Sequence, residues 1–162
     1  MRATNQIGVT KESVMNLAKS SAVARLVLGA GFTIFGLNGS LHFIPMPPAP
    51  PAAGGFLGAL AATGYMFPLI KGTEVISGLL LLGNRYVPLA LTLLAPVLVN
   101  IVSFHAFLAP AGLAVPIVLL VAELAAAWSY RKAFAPMLAA RVSPASEREE
   151  RTVSARAAAA HT

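Results

Sequence analysis

The sequence predicts an all-α protein: a four-transmembrane-helix bundle, with the N-terminus and C-terminus cytoplasmic and a short interfacial helix before the second span. Three observations carry that expectation. First, 57% of the 162 residues are hydrophobic and only 11% charged, less than half of the about 25% usual in soluble domains, and mean hydropathy is +0.74. Second, residues 26–70 and 86–122 hold no Lys, Arg, Asp or Glu at all. Water cannot solvate surfaces drawn from such stretches, whereas the hydrocarbon core of a bilayer suits them. Third, the basic residues fall on one side of a four-span threading.

A span needs roughly 20 apolar residues, and the chain divides accordingly. Residues 1–21 are polar and read as a cytoplasmic N-terminal segment. Residues 22–44 make the first span; the stretch is longer than a signal-peptide core and contains Asn38 and His42, so it reads as an anchor. Residues 44–52 (IPMPPAPPA) carry five prolines and should run as exposed extended chain. The stretch 53–83 is too long for one untilted span and too short for two. Tyr65 and Pro68 divide it into an interfacial or re-entrant helix over 55–66 and a second span over 67–83. Asn84 and Arg85 form a polar turn, 86–108 the third span with its only kink site at Pro96, and 113–130 the fourth, closed by Arg131 and Lys132. The membrane domain thus covers 22–137. The remaining 138–162 alternate charge without an apolar face and read as a disordered cytoplasmic tail.

Charge tests this count. With the N-terminus inside, 11 of the 12 basic residues lie in inner segments and Lys71, within a span, is the exception. Five spans would put the basic tail outside, so an even number wins by the positive-inside rule. The net charge of +6 then reads as topology and contact with an anionic lipid bilayer. No aromatic–basic patch suggests nucleic acid. The chain has no Cys, which excludes disulfides, iron–sulfur clusters, c-type haem attachment and thiol chemistry. It also lacks a Walker loop, a nucleophile motif, a zinc-protease motif and a dinucleotide fingerprint.

Polar side chains inside a span are costly and usually face the bundle interior. Seven stand out: Asn38 and His42 on the first span, Lys71 and Glu74 on the second, Asn100 and His105 on the third, Glu123 on the fourth. Asn38 and His42 share a helix face, and Lys71 and Glu74 are three apart and can pair. At ~1.5 Å per residue, the threading puts all seven in the outer half, between about 3 and 13 Å below the outer surface. Such a layer could bind a ligand or handle protons. It could equally set helix contacts, because Asn and His often bond helices together. Asn100 and His105 lie about 140° apart around a helix, so both cannot point squarely inward. Gly29, Gly31, Gly36, Gly39 and Ser40 on the first span, with Gly72 and Gly78 on the second, read as close-packing faces. Trp128 and Tyr130 suit an aromatic belt.

Three segments, RLVLGAGFTIFGLNGSLHF, PLIKGTEVISGLLLLGNRYVPLAL and APVLVNIVSFHAFLAP, resemble the DoxX-like family of small bacterial integral membrane proteins over about residues 22–137. The carrying pieces are the Gly/Asn-rich end of the first span, the Lys-Gly-x-Glu segment with its leucines, and the Asn–x4–His segment. The resemblance implies a four-helix membrane bundle. It also implies association with quinone-linked redox complexes, without a catalytic motif to carry over. On that reading the chain is a membrane subunit beside redox-enzyme partner subunits, more a non-catalytic component than a stand-alone enzyme. Lys71 with His42 or His105 would bond a quinone oxygen, and Glu74 or Glu123 would take a proton. No metal site is expected. A b-type haem between His42 and His105 is disfavoured, since it needs both imidazoles on facing helices. A small proton-coupled transporter or permease, working as a homo-oligomer, and a ligand-free scaffold subunit are the competing expectations.

Overall fold

The computed structural model describes residues 11–142 together with 144, 153, 156 and 159. Among these the only regular secondary structure is helical: α1 (Lys11–Leu41), α2 (Pro51–Ala62), α3 (Met66–Leu82), α4 (Val87–Leu108), α5 (Ala114–Ser129) and the single turn α6 (Arg131–Phe134), with a 3-10 turn at Pro110–Gly112. The chain divides into two compact units between Arg131 and Lys132. Residues 1–10 of the expected N-terminal segment and most of the expected tail, His161 included, lie outside the described residues. In the second unit, the carbonyl of Phe134 accepts from the amides of Met137 and Leu138.

In the first unit, α1 packs on α3 and α5, and α4 packs on the same two helices, which closes a four-membered ring. Each ring helix turns one stripe inward at helical spacing. These stripes are Ala24, Leu28 and Phe32 on α1; Glu74, Ser77, Gly78 and Leu81 on α3; Val87, Ala90, Leu91, Leu94 and Leu98 on α4; and Pro116, Leu119, Glu123 and Ala126 on α5. The outward faces are apolar too. Val23, Ile34, Ile76, Leu89, Val99, Val118, Val121 and Leu124 are all exposed. A largely apolar exterior over a bundle of this size is the mark of a protein solvated by lipid.

Among the described residues, two helices are long and apolar enough to cross a bilayer, α1 over Lys19–Leu41 and α4 over Val87–Leu108. A third crossing follows if α2 and α3 count as one bent span; their axes meet at 95°. The bend has a local cause. Gly64 takes φ +76, and the Thr63 hydroxyl accepts from the Met66 amide at 3.1 Å while donating to the Leu60 carbonyl at 2.7 Å. α5 has 16 residues, a length of ~24 Å.

Three boundaries differ from expectation. The helix before the second span runs over Pro51–Ala62 rather than 55–66, because Pro51 fits a first helical turn, where its missing amide costs nothing. Extended chain therefore ends at Pro50. α1 covers Lys11–Leu41, so the polar stretch 11–21 belongs to the same helix as the first span. Pro96 lies inside an uninterrupted α4.

Candidate functional site

The α1–α3 seam is built on glycine. A Cβ on Gly78 would stand 2.5 Å from the Thr33 hydroxyl, 2.8 Å from the Thr33 amide nitrogen and 2.9 Å from the Gly29 carbonyl. A Cβ on Gly36 would stand 3.1 Å from that of Glu74, and one on Gly39 only 2.6 Å from the Lys71 stem. The missing side chains let the backbones approach and seat the aliphatic part of Lys71 over α1. Gly31 instead faces Leu119 of α5, and Gly72 has nothing within 4 Å. Only part of the expected small-residue face therefore makes this contact.

Lys71 bonds both carboxylate oxygens of Glu74, at 3.0 and 2.9 Å. This is the one ion pair among the described residues. Glu74 is 1% exposed, whereas the Lys71 side chain keeps 21% of its surface. One turn on, Ser77 is fully buried and its hydroxyl has no partner. Glu123 is the other buried acid, 6% exposed, and its Oε2 has no hydrogen-bond partner. Both acids sit near the middle of their helices. Glu74 is the ninth of the 17 residues in Met66–Leu82, and Glu123 the tenth of the 16 in Ala114–Ser129.

The other four residues have local engagements. Asn38 is buried and uses its amide on the chain beyond α1: Oδ1 accepts from the Ile44 amide at 2.6 Å, and Nδ2 donates to the Ile44 carbonyl at 3.3 Å. That reciprocal pair ties down the end of the helix and the start of the Pro-rich link. His42 follows α1 with φ 52 and is exposed. Asn100 is exposed on α4. His105 lies with its Nδ1 2.9 Å from the Ile101 carbonyl of its own helix, and its ring meets Phe104 edge-on and abuts Gly112. The seven thus separate into a group along α3 and α5 (Lys71, Glu74, Glu123) and an end group (Asn38, His42, His105), with Asn100 on the outside. His42 is exposed beyond the end of α1, and the His105 ring is packed between its own helix and the 110–112 turn. Among the described residues no three His, Asp or Glu gather as a metal-binding group.

Sequence reasoning assigned no site role to three further polar groups. Thr33 and Ser77 carry buried hydroxyls without partners; Ser77 could have been found, since it lies three residues after Glu74 on the same face. Arg25 donates from Nη1 to the carbonyls of Leu81 and Leu82. It caps α3, where the carbonyls left by the last turn and the helix dipole both favour a cation. Nothing in the local sequence of α1 announces a partner 56 residues away. At the same end of the bundle, Arg131 stacks over Trp128 at 5.3 Å and bonds its carbonyl.

Comparison with protein-family models, with curated proteins and with solved structures returned no match. The likeness to the DoxX-like family therefore rests on its sequence segments alone.

Proposed function

We propose that the chain is a DoxX-like subunit of a quinone-linked redox system in the bacterial inner membrane, crossing it four times with both termini cytoplasmic. The Lys71–Glu74 pair is its ligand- or proton-handling element. The observation that supports this is the geometry of Lys71. An ammonium has three donors; two go to Glu74, and the partly exposed side chain leaves the third for a ligand oxygen. A quinone, when bound, supplies a carbonyl oxygen that accepts that hydrogen and a proton when reduced; Glu74 is placed to exchange the proton with Lys71. His42 and His105, near the same end of the bundle, do not face this pair through any hydrogen bond in the structure, so the proposal gives them no chemical role.

Titrating a short-chain quinone into the purified protein tests the reading, with Glu74→Gln beside the native chain. The expected result is weaker binding in the variant; equal affinity in both proteins would sink it. The topology is tested separately. Because the chain has no Cys, single cysteines at Asn84 and Ala111 report their side of the membrane without background. Labelling of Ala111→Cys from outside and of Asn84→Cys only after lysis is expected.

A second reading, a scaffold subunit with no ligand, is favoured by Asn38 and His105. Asn38 has both of its amide atoms, and His105 its Nδ1, engaged by its own chain segment. Under that reading, Lys71→Met/Glu74→Leu keeps its activity in cells.

A further inference from the structure

We propose that Glu123 is a reversible proton-binding site in the dry interior of the bundle. It is carried as the neutral carboxylic acid and is open to covalent modification by an apolar carbodiimide. The proposal rests on the reading of the chain as a membrane protein and needs neither a quinone nor a redox partner.

The argument is one of missing partners. Glu123 is buried on the same stripe as Pro116, Leu119 and Ala126, and Oε2 has no hydrogen-bond partner. The described charged and titratable groups on the elements packed against α5 are all placed elsewhere. On α1, Glu12 and Lys19 are exposed, and Arg25 is committed to the last carbonyls of α3; His42, just beyond its end, is exposed. On α4 the only such group is His105, held at the Ile101 carbonyl and the 110–112 turn, and that turn itself has none. On α3, Lys71 bonds both oxygens of Glu74.

A charge on Oε2 in such a place would have no donor, and an unpartnered buried charge is costly. Glu74 is the internal control. It is also buried in the ring, but a cation is bonded to both of its oxygens. Of the two buried carboxyls, only Glu123 can exchange a proton without first breaking an ion pair.

Dicyclohexylcarbodiimide reports this difference directly. The acid proton of Glu123 moves to a carbodiimide nitrogen while the carboxyl oxygen bonds the central carbon. An oxygen-to-nitrogen acyl shift then leaves a stable N-acylurea. The adduct gains the whole reagent, with no leaving group and no oxidant. Full-length protein in phosphatidylethanolamine–phosphatidylglycerol vesicles is treated at about pH 6 and about pH 9, values bracketing the neutral range, and mapped by peptide mass. The expected result is an adduct on Glu123 several times stronger at the lower pH, absent in Glu123→Gln, with Glu74 unmodified. In Lys71→Met, Glu74 becomes modified as well. Labelling of Glu74 in preference to Glu123, or of Glu123 equally at both pH values, overturns the proposal. So does an unmodified Glu123 in protein that stays in the membrane after carbonate washing. Release by that washing overturns the membrane reading instead, and retained labelling without quinone binding overturns only the redox proposal.

Discussion

Glu74 and Glu123 start from near-identical circumstances: each is a glutamate near the middle of an apolar helix, facing the interior of the same four-helix ring. Their surroundings then diverge. The α1–α3 seam is close-packed through Gly29, Gly36, Gly39 and Gly78, and it delivers Lys71 to both oxygens of Glu74. The α5 side brings no polar group to Glu123 Oε2. It meets α1 through Gly31 and Leu119, beside an apolar groove of about 300 Å³ lined by Val27, Gly31, Ala114, Val115, Val118 and Leu119. A buried acid is thus ion-paired or left without a partner according to one neighbour three residues away. Helix periodicity puts Lys71 within reach of Glu74; no basic residue stands near Glu123 on α5.

The largest break in this comparison should come from Lys71→Met. It leaves Glu74 buried and uncompensated, and a cost of roughly 3 kcal/mol is expected. Lys71→Met/Glu74→Leu should recover most of that. Detergent-unfolding titrations measure both, and a single variant as stable as the native protein would erase the distinction between the two acids.

Next comes Gly78→Ala. The added Cβ meets backbone atoms of Thr33 and Gly29, which cannot step aside, so about 1–3 kcal/mol should be lost. The matching change on the other side, Gly31→Ala, meets only the end of the Leu119 side chain and should cost less than about 1 kcal/mol. Equal losses in the same titration would show that the α1–α3 seam is no tighter than the α1–α5 contact.

Arg25→Met removes the donor to the Leu81 and Leu82 carbonyls and should cost about 1 kcal/mol. Hydrogen exchange localises the effect, with faster exchange expected in the last turn of α3 and unchanged exchange in α5. The smallest effect belongs to Gly72→Ala. Nothing lies within 4 Å of that position, and helix propensity alone should stabilise α3 by about 0.5–1 kcal/mol. A loss in the same titration would place the Gly72 surface against a second protein chain.

Much of the fold was legible in advance because helix formation and lipid solvation are read locally. The charge-free stretches 26–70 and 86–122, the polar turn at Asn84 and Arg85, and the pair Arg131–Lys132 predict where helices run and stop. The helices α1, α3, α4 and α5 follow those limits within a few residues, apart from the early start of α1. Pro51 is the instructive miss. Proline is read as a breaker from composition, yet its fixed φ suits a helix start, and only its position relative to the helix shows which rule applies.

The site was less legible. Depth counted along each span could group the seven polar residues, but rotation about the helix axis decides which of them look inward, and the axis position depends on packing. Asn100 is exposed while Leu98 is buried on the same helix. Asn38 found the backbone of Ile44 only because the chain turns back at His42.

The sequence by itself determined the helical class and lipid-facing composition, because apolar content and the scarcity of charge act through solvent alone. It also determined the Lys71–Glu74 pairing, because three residues on a helix fix a distance. Only the tertiary structure decided that Arg25 caps α3, that Gly78 and not Gly72 makes the close contact, and that Glu123 is left without a partner. Each of those depends on which helices become neighbours and how each is turned about its axis, and that is settled by the packing of whole faces.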